Sequence, residues 1–107
     1  WLEVLAHFER DPACPVLLVM ADVQLAPRFA ALVDEPESSY ALALLIAREG
    51  DGPELRFDVA GAEPTPVTPW PHAGVFLRWL LSEEQRLCLG RFHWTRCSGG
   101  QGVVRAA

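Results

Sequence analysis

The sequence predicts an α/β domain in which a small mixed, mainly parallel sheet carries two buried central strands and helices pack on both faces. Three observations carry that expectation. The run Val16-Leu17-Leu18-Val19-Met20-Ala21 is apolar without a break, and so is the run from Tyr40 to Ala47. A strand with one face in water alternates apolar and polar residues, so unbroken runs point to strands covered on both sides. Between the runs, Leu25, Phe29, Leu32 and Val33 flank or follow Pro27 at near-helical spacing. Strand, short helix, strand is the βαβ pattern, with a right-handed crossover.

The elements follow in order. Trp1, Val4, Leu5 and Phe8 stand at i, i+3, i+4 and i+7, one stripe of an amphipathic helix over 1–10. Asp11-Pro12 ends it, because the residue before proline avoids the α region. Pro15 leads into the first strand, and Asp22 closes that strand. A short helix over 26–33 ends in the acidic turn Asp34 to Ser39. The second strand runs over 40–48, and Gly50-Asp51-Gly52-Pro53 is a turn. Leu55, Phe57 and Val59 alternate with Arg56 and Asp58, which predicts a half-exposed edge strand, antiparallel to the second through a hairpin.

Residues 62–71 hold Pro64, Pro66, Pro69 and Pro71. Such a stretch joins neither a ladder nor a helix interior. It reads as a stiff crossover tied down by Val67 and Trp70, with a proline-rich ligand for an aromatic groove as the alternative. Pro71 suits the first turn of the next helix, whose buried stripe is Val75, Phe76, Trp79 and Leu80, widened by Leu77 and Leu81. Ser82 with Gln85 has the form of a capping box, and Gly90 reads as the helix stop. Arg91 to Cys97 alternates as a strand, with Phe92 and Trp94 on one face and His93, Thr95 and Cys97 on the other. Ser98-Gly99-Gly100-Gln101-Gly102 is a turn, and Val103-Val104 a last short pairing. The 107 residues make one domain, 1–107. The start at Trp1, inside a helix and without an initiating Met, reads as a fragment of a longer chain or a processed product.

Composition narrows the function. The net charge of −5 repels phosphate, so neither nucleic acid nor an anionic membrane surface is an expected partner. All nine basic residues are arginine, and lysine and asparagine are absent, a bias that fits a GC-rich bacterial genome. No apolar run approaches the ~20 residues that span a bilayer, and no signal peptide is visible. Three cysteines, Cys14, Cys88 and Cys97, do not make a disulfide framework. They suggest thiols in a reducing compartment, hence the cytoplasm.

Few constellations carry chemistry. Cys88, His93 and Cys97 have zinc-ligand types, but the usual Cys-x2-Cys pair is missing and Cys88 falls on the preceding helix, so small apolar fillers are the simpler reading and no metal or cofactor is expected. Cys97 with His93 is the only local thiol–base pairing, and it is too far apart along a strand for a hydrogen bond. Open α/β sheets bind ligands beyond the carboxyl ends of their strands. Asp22 occupies such an end, where it is either a ligand-contacting residue or a turn residue accepting backbone N–H groups. No phosphate-binding glycine loop, dinucleotide fingerprint or nucleophile elbow occurs. Trp70, Phe76, Trp79, Phe92 and Trp94 crowd the C-terminal third. They form core or, in the competing reading, an anchor patch for a partner.

Three stretches carry a likeness to a known family. Asp11-Pro12-Ala13-Cys14-Pro15 introduces a strand ending Met20-Ala21-Asp22; Ala41 to Arg48 is a second apolar strand; and Pro64-Thr65-Pro66-Val67-Thr68-Pro69-Trp70-Pro71 opens an aromatic helix leading to Leu89-Gly90-Arg91-Phe92-His93. The chain resembles the type VI secretion lipase-adapter family. The resemblance implies a chaperone-like role: helping deliver a phospholipase effector to the secretion spike, with no catalysis of its own and no catalytic residues to carry over. The expected function is a non-enzymatic binding or adapter domain whose partner is a secreted effector, a spike protein or the rest of a longer chain. Its binding residues would be Trp70, Trp79, Trp94 and Asp22. The alternative is a small α/β enzyme with its site near Asp22 and His72 or His93 as base.

Overall fold

The computed structural model describes residues 1–33, 38–65 and 67–97. The expected turn at 98–102 and the pairing at Val103-Val104 lie outside them, as do residues 34–37 of the acidic turn. The elements are helix α1 (Leu2–Arg10), strand β1 (Val16–Asp22), a 3-10 helix (Pro27–Leu32), β2 (Tyr40–Ile46), β3 (Leu55–Val59), α2 (His72–Leu80), β4 (Arg86–Leu89) and β5 (Phe92–Arg96).

The expected parallel α/β sheet is not what forms. The strands make two separate antiparallel sheets, a ribbon of β1 and β2 and a three-stranded sheet in the order β3-β5-β4. The reason lies in residues 23–39. A βαβ crossover needs a helix with an apolar stripe laid on the sheet, yet the 3-10 helix buries no residue. The chain instead loops out and returns, with Asp22 opposite Tyr40 and Val16 opposite Ile46. The Gln24 N–H donates to Ser39 Oγ at 3.1 Å across the foot of this loop. The two apolar runs therefore pair with each other as a two-stranded ribbon, and are not central strands of a covered sheet.

In the second sheet, alternation assigns the faces. Leu55, Phe57, Leu87, Leu89 and Trp94 point inward and are buried. α2 covers them through Ala73, Phe76 and Trp79. β3 is an edge strand, as its alternation implies, but pairs with β5 rather than β2.

β4 corrects a second expectation. Residues 86–89 are a strand, and Gly90 does not stop a helix. Gly90 and Arg91 are the two-residue turn of a hairpin. Gly90 has φ +61° and no other described residue except Gly50 has positive φ. Positive φ at the first central position alone is the type II′ pattern that glycine favours. The helix ends at Leu80 because Arg96, from β5, occupies its C-terminal carbonyls. The guanidinium donates to the carbonyls of Trp79, Leu80 and Ser82 at 2.8–3.0 Å, and Nε donates to that of Glu84 at 3.0 Å. Ser82 takes part by donating its hydroxyl to the Trp79 carbonyl at 2.9 Å and caps no helix of its own.

α1 joins the two sheets. Val4 and Phe8 pack with Ile46, Val16 and Leu18 of the ribbon, while Trp1 and Leu5 reach the aromatic core. Trp1 lies 5.2–5.9 Å from the rings of Phe57, Phe76 and Trp94, between centroids. Trp1 and Leu44 belong to both hydrophobic clusters and tie them into one body. Among the described residues, no helix is long and apolar enough to cross a membrane.

Candidate functional site

Three places on the molecule have the makings of a site: the outer face of the ribbon, a pocket at its base, and a polar cluster on the second sheet.

The ribbon's inner face is covered in part by α1. Its outer face carries the cross-strand pairs Leu17–Leu45, Val19–Ala43 and Ala21–Ala41, all exposed. Leu17 is 65% accessible, Val19 59% and Leu45 74%. No charge interrupts either strand between Val16 and Ala21 or between Tyr40 and Ile46. Native sheets ordinarily protect such strands with lysine, proline or an inward-pointing charge. Exposed Val23 and Leu32 add apolar surface in the loop that follows β1.

The pocket, of about 330 Å³, opens where the ribbon meets the aromatic core. Trp1, Leu44, Leu55 and Phe76 line its apolar part, and Arg48 and Glu54 are among its polar residues. Asp22, His72 and His93 are not among its lining residues. Asp22 sits at the opposite end of the ribbon from Ile46, some 20 Å away at about 3.4 Å per residue. Its carboxylate accepts the N–H of Val23 at 2.8 Å, a local turn bond. The rule that placed a ligand at strand carboxyl ends belongs to parallel sheets, so it loses its basis here.

The polar cluster lies on the outer face of the three-stranded sheet. Cys88 and His93 are direct partners across β4 and β5, so their side chains stand side by side. The chain after β3 is strapped over them by two backbone bonds, from the Ala60 N–H to the Arg91 carbonyl and from the Glu63 N–H to the Gly90 carbonyl, both 3.0 Å. This holds Glu63 above the pair. Glu63, Cys88 and His93 present ligand atoms within 4.8 Å of one another. Arg86 joins them, with Nη2 at 2.9 Å from Glu63 Oε1 and 3.1 Å from His93 Nδ1. Because arginine has only donors, Nδ1 accepts and the ring proton sits on Nε2.

Electrostatics at Cys88 favour the protonated thiol over the thiolate. Burial, and then its hydrogen bond to the Glu63 carboxylate, push the Cys88 thiol up. The same bond, followed by the charge of Arg86, holds the Glu63 carboxyl below its ordinary range. A reactive cysteine needs the reverse.

The tryptophans named from the sequence divide. Trp79 and Trp94 are core residues, 3% and 4% accessible, and offer no surface to a partner. Trp70 is 47% accessible, with the Arg78 guanidinium 5.6 Å from its ring centroid. Val67 is fully exposed and ties nothing down. Of the zinc-type residues, Cys88 and His93 come together, Cys97 is replaced by Glu63, and no disulfide joins the three cysteines. Neither a family model, a curated protein nor a solved structure matches this chain.

Proposed function

We propose that the chain is a non-enzymatic protein-binding domain, cytoplasmic, that takes an apolar helix of its partner on the outer face of the β1–β2 ribbon. The observation that carries this is the row Leu17–Leu45, Val19–Ala43, Ala21–Ala41, apolar and exposed on a strand pair whose other face α1 covers in part. From Leu17 to Ala21, at about 3.4 Å per residue, the row is ~14 Å long, which matches roughly two and a half turns of α-helix. The width of two strands suits one helix, and α1 already occupies the equivalent position on the inner face. The unbroken apolar runs, which suit strands covered on both sides, support the same reading. Delivery of a type VI secretion lipase effector is the specific adapter role that the sequence resemblance suggests for such a module. Cysteines without disulfides support the compartment.

The test needs a variant that alters the face and spares the ribbon. Leu17 and Leu45 are directly opposite, so two like charges would repel, whereas Leu17→Lys with Leu45→Glu places an attractive pair across the strands. A photo-crosslinking residue at Val19 should give one dominant protein adduct in the native host, mapping to an amphipathic helix of the partner. The Lys/Glu pair should abolish that adduct and shift stability by less than about 1 kcal/mol, as exposed substitutions do. An adduct that survives the pair, or one formed solely with a second copy of the chain, would refute the helix-docking proposal.

A further inference from the structure

We propose that Glu63, Cys88 and His93 form a zinc site whose position is guarded by Arg86. Cys Sγ, His Nε2 and a carboxylate oxygen are the donor types of a three-ligand zinc centre with a fourth, open position. Magnesium and calcium take oxygen donors and fit this set poorly.

Two independent observations point to a cation. The first is geometric: the three ligand atoms converge to within 4.8 Å, and they come from β4, β5 and a strap anchored on the turn between them. Tetrahedral zinc with nitrogen and oxygen ligands at about 2.1 Å sets those atoms about 3.4 Å apart. His93 Nε2 and Glu63 Oε1 are 3.9 Å apart, so a half-ångström movement of the half-exposed Glu63 side chain closes the gap.

The second is an unmet need. His93 is 6% accessible, yet its buried Nε2 has no hydrogen-bond partner and faces the Glu63 carboxylate. Buried polar atoms are nearly always paired, and here the partner is missing. Once its proton has moved to Nδ1, Nε2 offers a metal its lone pair. Arg86, whose side chain is 54% accessible, supplies the positive charge meanwhile and is free to swing into solvent. On binding, Cys88 gives its S–H proton to solvent and coordinates as thiolate. The imidazole proton passes from Nε2 to Nδ1, which Arg86 has vacated. Zinc's two positive charges then face one thiolate and one carboxylate.

Titration calorimetry of the chain with zinc chloride should show one ion per chain. Cobalt(II) in its place should give a thiolate-to-cobalt charge-transfer band. Cys88→Ser should remove the band, and Glu63→Gln should weaken binding by more than about 100-fold, beyond the 10–100-fold of groups that only orient a ligand. Glu63 is exposed, so the Gln variant folds, which circular dichroism verifies. Arg86→Gln, which removes the competing cation, should tighten binding by up to about tenfold. Cys14→Ser is the control and should change nothing, because Cys14 is exposed and remote in sequence from the cluster. A missing charge-transfer band overturns the site, as does affinity unchanged in Glu63→Gln or binding lost in Cys14→Ser.

Discussion

Trp94→Ala will unfold most of the margin this domain has, at a cost of about 3–5 kcal/mol. Trp94 is the hub of the aromatic core. Its ring centroid lies 5.3 Å from Phe57, 5.3 Å from Phe76 and 5.8 Å from Trp1, the last two edge-on. Aromatic pairs at such spacing add about 0.5–1.5 kcal/mol each beyond the area they bury. Leu87 stands across one neighbouring strand and Phe57 across the other, both paired into the sheet, so the cavity left by alanine collapses little from the sheet side. Set against a total stability of about 5–15 kcal/mol, the loss brings the unfolding midpoint down sharply in heat or urea. Trp70→Ala serves as the internal comparison. Its ring is half in solvent, and it should cost less than about 1 kcal/mol. Equal midpoints for the two variants would show that the aromatic cluster does not carry the fold. The contrast also decides which tryptophan can report on binding: a defect seen in Trp94→Ala reads as unfolding, whereas one in Trp70→Ala reads as surface.

What the sequence made legible was whatever depends on near neighbours. The i, i+3, i+4, i+7 stripe from Trp1 to Phe8 fixes α1 and selects Val4 and Phe8 as its buried residues. Alternation identifies β3 and β5, with Trp94 facing inward and His93 and Thr95 outward. Strand direction was not legible. An unbroken apolar run says that both faces are apolar, and it is silent on whether the next strand runs parallel. The discriminating clue was the connection, where Pro27 to Leu32 is too short to lay a helix across a sheet. β4 was hidden because Leu87, Cys88 and Leu89 suit a helix as well as a strand, although Gly90-Arg91 between apolar alternations is also a hairpin signal. The polar cluster was half visible. Cys88 and His93 were singled out by chemistry, but placing Cys88 on a helix separated them. Glu63 lies 25 residues from Cys88 inside a proline-rich stretch, and only the strap over the Gly90 turn brings it near. Arg86 carried no signal of any kind.

Arg96→Ala is the second large effect, about 3 kcal/mol. Its guanidinium serves four carbonyls, those of Trp79, Leu80, Ser82 and Glu84, where α2 ends and turns toward β4. These are the acceptors that every helix leaves without an intrahelical donor, and they carry the negative end of the helix dipole. A hydrogen bond from a charged donor contributes about 1.5–3 kcal/mol, and a part-buried carbonyl left unpaired adds its own desolvation cost. The four do not add, because they share one side chain and some reach water once it is gone. The guanidinium also lies 5.1 Å from the Trp79 ring centroid, so its removal loosens a core aromatic. Arg96→Lys separates charge from shape. Lysine keeps the positive charge but offers one compact ammonium in place of a planar fork, so it should recover less than half of the loss. Amide exchange should quicken in the last turn of α2 and in β4, while the ribbon keeps its protection. Full rescue by lysine would mean that charge alone closes the helix, and an unchanged thermal midpoint in Arg96→Ala would mean that water does the work assigned here to Arg96.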